Sequence, residues 1–384
     1  MTSGGLFDGV YGTPEVDAAT GGEAWLRAML DVEAALARAG ARVGLIPAEA
    51  ADAIAAACDP DRFEVAELGR GAAAEATPVI ALVAGLRSLL PEAAAGWVHP
   101  AATSQDVLDT AAMLVARRAL EPALADAAGV ADLLADLARR HRDTAQVGRT
   151  LFQQAVPTTY GAACAARLVA IDEARSRLAA IRAERLSAQL GGAAGTLSGA
   201  GDRGPDLLAA LADELGLAEP VTPWHTARGR VAELAAAIGV LAGELAAAAQ
   251  DVVLLSGTEL AEVSVAAPGG SSAMPHKRNP AAAVLALACA HRIPGLVAGV
   301  LAGMPQELQR SWGRWQAEWG TLTDLLRLLG GTAHHTHAAY RGLQVDADAM
   351  RAHVEELTAT GVASGTGSAS AFVDRALAAH RECS

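Results

Sequence analysis

The sequence predicts an all-α protein in three parts, built round a central bundle of long helices. Three observations carry that prediction. Of the 384 residues 52% are hydrophobic but only 3% aromatic, so Ala, Leu and Val must fill the core. Ala and Leu are strong helix formers, and small side chains let helices approach closely. Apolar residues recur at three- and four-residue spacing, in runs longer than the mean helix of about 12 residues.

Residues 24–40 read as an amphipathic helix, with Trp25, Met29, Val32 and Leu36 along one face and Gly40 as its stop. Short helices fill the stretch up to Pro91, and the Pro- and Gly-interrupted segment 91–103 marks a boundary. The first domain is therefore 1–101. A second, 102–342, holds long helices at 104–121, 124–143, 158–188, 228–256, 280–303 and 312–341, with the loops 144–158, 189–205 and 257–279 between them. Capped long helices with short breaks form antiparallel bundles. The last part, 343–384, begins with a short helix at 346–358, then a Gly/Ser/Thr-rich stretch that reads as a flexible tail, and a short closing helix.

The formal net charge of -13 excludes nucleic acid as a partner, because phosphate binding needs a basic surface. It does not exclude a small anion, since a few Lys and Arg side chains can cluster in an acidic protein. The scattered cysteines Cys58, Cys164, Cys289 and Cys383 show no metal spacing and read as free thiols. The opening MTSGGLFDGVYG lacks a basic stretch followed by an apolar one, and the apolar runs fall short of the roughly 18 residues a membrane span needs. A cytoplasmic protein without membrane contact is expected.

Three blocks carry the chemistry. Gly269-Gly270-Ser271-Ser272-Ala273-Met274-Pro275-His276-Lys277-Arg278-Asn279-Pro280 is a Gly-rich loop running into a helix, with Asn279 as N-cap and Pro280 as first helical residue. A helix start carries unpaired N–H groups and partial positive charge, and Lys277 and Arg278 add two full charges. Such a loop can close over an anion; a structural loop with incidental charges fits the residues as well. Thr103-Ser104-Gln105-Asp106 has the pattern of a capping box at the next helix start. The third block runs from His141 to Thr159 through Gly148-Arg149-Thr150-Leu151-Phe152-Gln153-Gln154.

The first block resembles the GSSxMPxKxNP signature of the fumarase/aspartase superfamily. The second resembles its TSxDxxDTA block, and the third its H-x-x-T-x-x-x-G-R-T block. Gly191–Leu197 (GGAAGTL), Pro223-Trp224-His225-Thr226 and Met304-Pro305-Gln306-Glu307 with Arg310-Ser311 resemble the 3-carboxy-cis,cis-muconate cycloisomerase family within it. The resemblance spans roughly residues 5–355. It implies a three-part all-α fold whose bundles form a twenty-helix core in a homotetramer, with active sites shared between copies, a small tricarboxylate as substrate and no metal or organic cofactor.

The resemblance also implies site residues. Ser271 is the base that moves a proton next to a carboxylate, and His99, upstream of the second block, joins it as a catalytic residue. Thr103, Ser104, Gln105, Arg149, Thr150, Gln153, Gln154, Ser272, Met274, Lys277, Asn279 and Arg310 bind substrate. Relatives place an aromatic residue and a glycine after that histidine; Pro100 and Ala101 stand here. Many lyases of the superfamily carry a general-acid histidine at the places held by Leu151 or Gln154, and neither side chain is an acid. That fits lactonisation of 3-carboxy-cis,cis-muconate in protocatechuate breakdown better than release of an amine. The alternatives are a β-elimination lyase of a substituted succinate, such as nitrosuccinate, and a non-enzymatic helical protein that keeps the fold.

Overall fold

The computed structural model describes residues 5–383; the start of the segment read for a leader, Met1–Gly4, and the terminal Ser384 lie outside them. Two short helices, α1 (Asp8–Tyr11) and α2 (Pro14–Thr20), lead into α3 (Gly22–Arg42). Leu26, Met29, Leu30, Val32 and Leu36 of α3 are buried, the stripe its spacing predicts. The helices α4 (Ala48–Ala57), α5 (Val65–Glu75), α6 (Val79–Ser88) and α7 (Glu92–Ala95) complete the first part.

Helix α8 (Ser104–Arg140) is one helix of 37 residues, not the two expected, and Pro122 lies inside it. Proline in a helix interior removes a hydrogen bond and costs about 3 kcal/mol. Here Leu120 and Ala123 on either side of it are almost fully buried, so packing on both flanks holds the chain helical. The loop expected at 144–158 is instead a hairpin of β1 (Ala145–Thr150) and β2 (Gln153–Thr159), pairing Ala145 with Thr159 and Thr150 with Gln153. Its turn residues Leu151 and Phe152 have φ of +50° and +63°. Hairpin turns of this kind favour Asn and Gly, so Leu-Phe gives no turn signal, and Pro157 argues against a strand.

Helices α9 (Tyr160–Glu184), α10 (Gly204–Leu215) and α11 (Gly229–Leu255) follow, then the short strand β3 (Val263–Ser264). The helix expected at 280–303 is two, α12 (Ala281–Ala290) and α13 (Ile293–Gly303), because Pro294 starts a new helix after His291 and Arg292. Helix α14 (Arg314–Tyr340), β4 (Gln344–Val345) paired with β3, and α15 (Ala347–Ala359) complete the bundle. The closing stretch is not a loose tail. Helix α16 (Ala369–Cys383) buries Val373 and Leu377. Asp374 takes Arg142 at 2.6 Å, and His380 lies between Asp172 at 2.7 Å and Asp132 at 3.3 Å. The Gly/Ser run before α16 hides this amphipathic pattern in the sequence. One hydrophobic core extends from Leu26 to Leu377.

Two segments exceed the apolar length expected of them. α11, with 27 residues, and residues 281–303 each contain an 18-residue stretch, of mean hydropathy 1.7 and 1.8, that reaches the length and composition of a membrane span. The first is half buried inside the chain and the second 28% buried. Cys164 and Cys289 are buried free thiols, and Cys58 is a half-buried one.

Inside the bundle sits a cluster of charges. Arg228 is 3% exposed and bonds both oxygens of Asp109, at 2.8 and 3.0 Å, and Glu318 at 2.5 Å. Trp315 Nε1 and Gln105 Nε2 donate to Asp109 at 3.0 and 3.1 Å, and Gln306 donates to Glu318 at 2.8 Å. Burial pushes the Glu318 carboxyl above its ordinary range, against the pull of Arg228. The cluster joins α8, α11 and α14 at the end where the loops gather. Arg228→Met should lose about 3–5 kcal/mol in urea unfolding, because two buried carboxylates lose their counter-charge. A loss below about 1 kcal/mol would show that water reaches the cluster.

Candidate functional site

Asp106 organises the start of α8. Its carboxylate accepts the backbone N–H of Thr103, Gly191 and Gly192, each at 2.9 Å, and His225 Nε2 at 2.6 Å. Asp106 and His225 are both buried. The contact with Thr103 is half of the expected capping box; the others lay the 191–194 loop across the helix start. Gly192 has φ of +66°, and a Cβ there would lie 2.7 Å from the Ala101 carbonyl oxygen, so both backbone shape and space require glycine. Arg310 donates to Gln105 Oε1 at 3.1 Å and to the carbonyls of Gly192 and Ala193 at 3.2 and 2.9 Å. Among the described residues no carboxylate pairs with Arg310. A guanidinium held by neutral acceptors, beside half-buried Thr103 and Ser104 at a helix start, is suited to an anion.

The segment leading into this helix is strained. His99 and Ala101 take φ of +63° and +57° on either side of Pro100. A left-handed backbone costs roughly 1–2 kcal/mol for a residue with a side chain, and such strain gathers at functional sites. His99 Nδ1 lies 2.6 Å from Glu33 Oε1. Burial opposes charge on this imidazole, but the Glu33 carboxylate outweighs it and holds the ring above its ordinary pKa.

The signature loop is a closed excursion. Gly269 and Asn279 exchange backbone hydrogen bonds at 2.8 and 3.0 Å, and Asn279 Nδ2 donates to the Gly270 carbonyl at 3.0 Å. Asn279 therefore does not cap the helix: Pro280 is the cap residue and α12 begins at Ala281. The asparagine amide closes the neck of the loop instead. Ser271 Oγ accepts the backbone N–H of Met274 at 3.1 Å and of Ala273 at 3.4 Å. Two N–H donors on a serine oxygen favour its alkoxide, which a serine base requires. Ser272, Met274 and Lys277 are exposed. Among the described residues no carboxylate lies within ion-pair distance of His276, Lys277 or Arg278. Lys277 and Asn279 line a groove of about 990 Å³ with Ser256 and Thr258.

The hairpin differs from expectation at Arg149. Its guanidinium lies against Glu262, at 2.6 and 3.3 Å, and Glu262 also takes Gln146 at 2.7 Å and His353 at 2.9 Å. Burial works to raise the Glu262 carboxyl, but these donors together hold it below its ordinary range. Arg149 thus ties the hairpin to the stem of the 257–279 loop, and its charge is already matched. Thr150, Gln153 and Gln154 are exposed at the turn, where Leu151 is 98% exposed. His141 contacts Thr144 at 3.2 Å and the Tyr160 ring, and burial lowers its pKa, so its contacts are those of a packing group. Among the described residues no hydrogen bond joins the hairpin turn, the Ser271 loop and the α8 start to one another. Asp106 and His225 both lie in motifs of the sequence, but their pairing at 2.6 Å, which makes Asp106 a clamp, appears only in the fold.

Comparison with known proteins matches residues 13–295 to the lyase family. The 3-carboxy-cis,cis-muconate cycloisomerase of Pseudomonas aeruginosa is 43% identical over 355 residues, 90% of this chain and 77% of its own length. The nitrosuccinate lyase of Streptomyces davaonensis is 44% identical over 369 residues, 92% of this chain and 78% of its own length. The crystal structure of the 3-carboxy-cis,cis-muconate lactonizing enzyme from Pseudomonas putida superposes with a TM-score of 0.90 at 34% identity, covering 98% of this chain and 99% of that one. With the serine loop, the helix-start clamp and the hairpin in place on this fold, the chain belongs to the lyase family of the fumarase/aspartase superfamily.

Proposed function

We propose that the protein is a 3-carboxy-cis,cis-muconate cycloisomerase, which closes the tricarboxylate to 4-carboxymuconolactone in protocatechuate breakdown. A carboxylate oxygen of the substrate adds across a C=C bond, and the electron pair moves into the neighbouring carboxylate as an aci-carboxylate. Protonated Ser271 then delivers its proton to carbon; in reverse its alkoxide removes it. Lys277 and Asn279 hold the intermediate, with Ser272 and Met274 beside them. Thr103, Ser104, Gln105 and Arg310 bind a second carboxylate. Thr150, Gln153 and Gln154 complete the wall, and Arg149 shapes it from behind.

The observation that carries this reading is the hairpin turn, where Leu151 and Gln154 stand and no acid does. An amine or hydroxide needs a proton to leave, whereas a carboxylate with a pKa of about 4 departs unaided. Nitrite is also a weak base, and the similarity to a nitrosuccinate lyase favours nitrosuccinate as the second reading.

We further propose a homotetramer with a twenty-helix core, in which the three blocks of one site come from three copies. Supporting it are the apolar side chains that α11, α12 and α13 leave exposed, among them Val240, Leu254, Val284 and Leu301, and the exposed turn at Leu151 and Phe152. Apolar side chains exposed together on neighbouring helices are a mark of an interaction surface. The three-part division at 101 and 342, the cytoplasmic location and the lack of membrane contact belong to the same proposal. The exposed faces of α11 to α13 are then subunit surfaces.

Ser271→Ala should fold normally and lower turnover of carboxymuconate by about 10² to 10⁴, the range for a lost proton-transfer group. Turnover within twofold of the parent would remove Ser271 from the reaction. A substrate panel separates the leaving groups. Carboxymuconate should be converted, adenylosuccinate and argininosuccinate should be left intact, and Gln154→His should bring no large gain with the muconate. Efficient cleavage of adenylosuccinate would reveal an acid elsewhere and overturn the reading; turnover of nitrosuccinate alone would favour the second.

A further inference from the structure

Glu33 lies in the interior of α3 among Leu30, Leu36 and Ala37, each about 1% exposed. A carboxylate removed from water is tolerated only when it is paired and hydrogen-bonded. One of its oxygens meets His99 Nδ1 at 2.6 Å, and the other, Oε2, is buried without a hydrogen-bond partner. His99 is therefore its chief compensation. The Glu33 side chain is 0% exposed and that of His99 15%, so the imidazole stands between a sealed carboxylate and the surface. The left-handed backbone of His99 keeps the ring there in spite of its strain. With Nδ1 engaged, Nε2 is the nitrogen left, and among the described residues no protein group is bonded to it. Thr103 and Ser104, the start of α8, follow within a few residues.

We propose that Glu33 is a positioning residue. It fixes the His99 ring through Nδ1, so that Nε2–H is presented to a substrate carboxylate. This rests on the functional reading above and adds His99, which the family resemblance implies for the site, to the carboxylate-binding end at Thr103 and Ser104. The groups facing the ring come from three helices. Glu33 of α3 and Asp106 of α8 favour its charge. Arg87 of α6, whose guanidinium holds the Val98 carbonyl at 3.3 Å, opposes it, as does burial. A histidine whose folded pKa is raised binds its anion fully below the ordinary histidine range and loses it as pH rises through the folded value. Substrate affinity should therefore fall on the alkaline side.

The test is an NMR titration of the His99 ring in the full-length protein, assigned with His99→Asn, together with kcat and KM against pH for carboxymuconate. Glu33→Gln should lower the His99 midpoint by about one pH unit or more. It should move the alkaline loss of kcat/KM down by the same interval, and raise KM roughly tenfold at neutral pH. Glu33→Asp should restore part of each. An unchanged midpoint and an unchanged KM in folded Glu33→Gln would overturn the proposal. If that variant fails to fold, an unchanged midpoint in Glu33→Asp would do the same. The midpoint is read without substrate. A shifted midpoint in a protein that never converts carboxymuconate would sink the functional reading and keep the Glu33 pairing, and the converse would sink only the pairing.

Discussion

The Asp106 carboxylate is the constraint on which the site depends. Four donors from three places in the chain converge on it: Thr103, the Gly191-Gly192 turn and His225. Hydrogen bonds to an ionised acceptor are roughly twice as strong as neutral ones, and burial strengthens them further. The arrangement at this end of α8 hangs from that oxygen pair. The 191–194 loop supplies the carbonyls that hold Arg310, and the helix start presents Thr103 and Ser104. One turn deeper, Arg228 locks Asp109 to Glu318 and fixes α8 against α14. The clamp and the ion cluster are linked through Gln105, which donates to Asp109 and to the His225 carbonyl.

Charge is unevenly distributed in this protein of net charge -13. Most arginines are matched by a carboxylate, as Arg149 is by Glu262 and Arg167 by Asp251. Arg310, Lys277 and Arg278 stand apart from carboxylates among the described residues. A cation that already has a partner contributes little to a ligand, because binding must first break the pair. Arg117 and Arg203 are likewise held by backbone carbonyls, so a cation without a carboxylate points to a site only together with the loop and helix start around it.

Much of this was legible in the sequence. The long helices follow from apolar spacing, and the serine loop, the helix-start block and the hairpin block follow from motifs. What the sequence hid has physical reasons. Pro122 reads as a helix break, yet Leu120 and Ala123 bury on both sides of it and the helix continues. The hairpin turns through Leu151 and Phe152 in left-handed conformations that neither residue advertises. Arg149 matches a substrate-binding motif, but its partner Glu262 lies more than a hundred residues away and only the fold unites them. Glu33 looks like any polar residue on an amphipathic helix until burial places it under His99. Local propensity registers none of these, because each is decided by a tertiary neighbour.

The central claim is that proton transfer at carbon and carboxylate capture occur in one site to which separate copies of the chain contribute. A single chain keeps the Ser271 loop and the Thr103 helix start without a hydrogen bond between them among its described residues. The direct measurement is complementation. Inactive Ser271→Ala and Thr103→Ala proteins are mixed, dissociated in mild denaturant and reassembled, and loss of the diene absorbance of carboxymuconate is followed. The account predicts that the mixture regains part of the parent activity while each variant treated alone stays inactive. A mixture that reassembles and remains as inactive as its parents, or an active monomer, would contradict it.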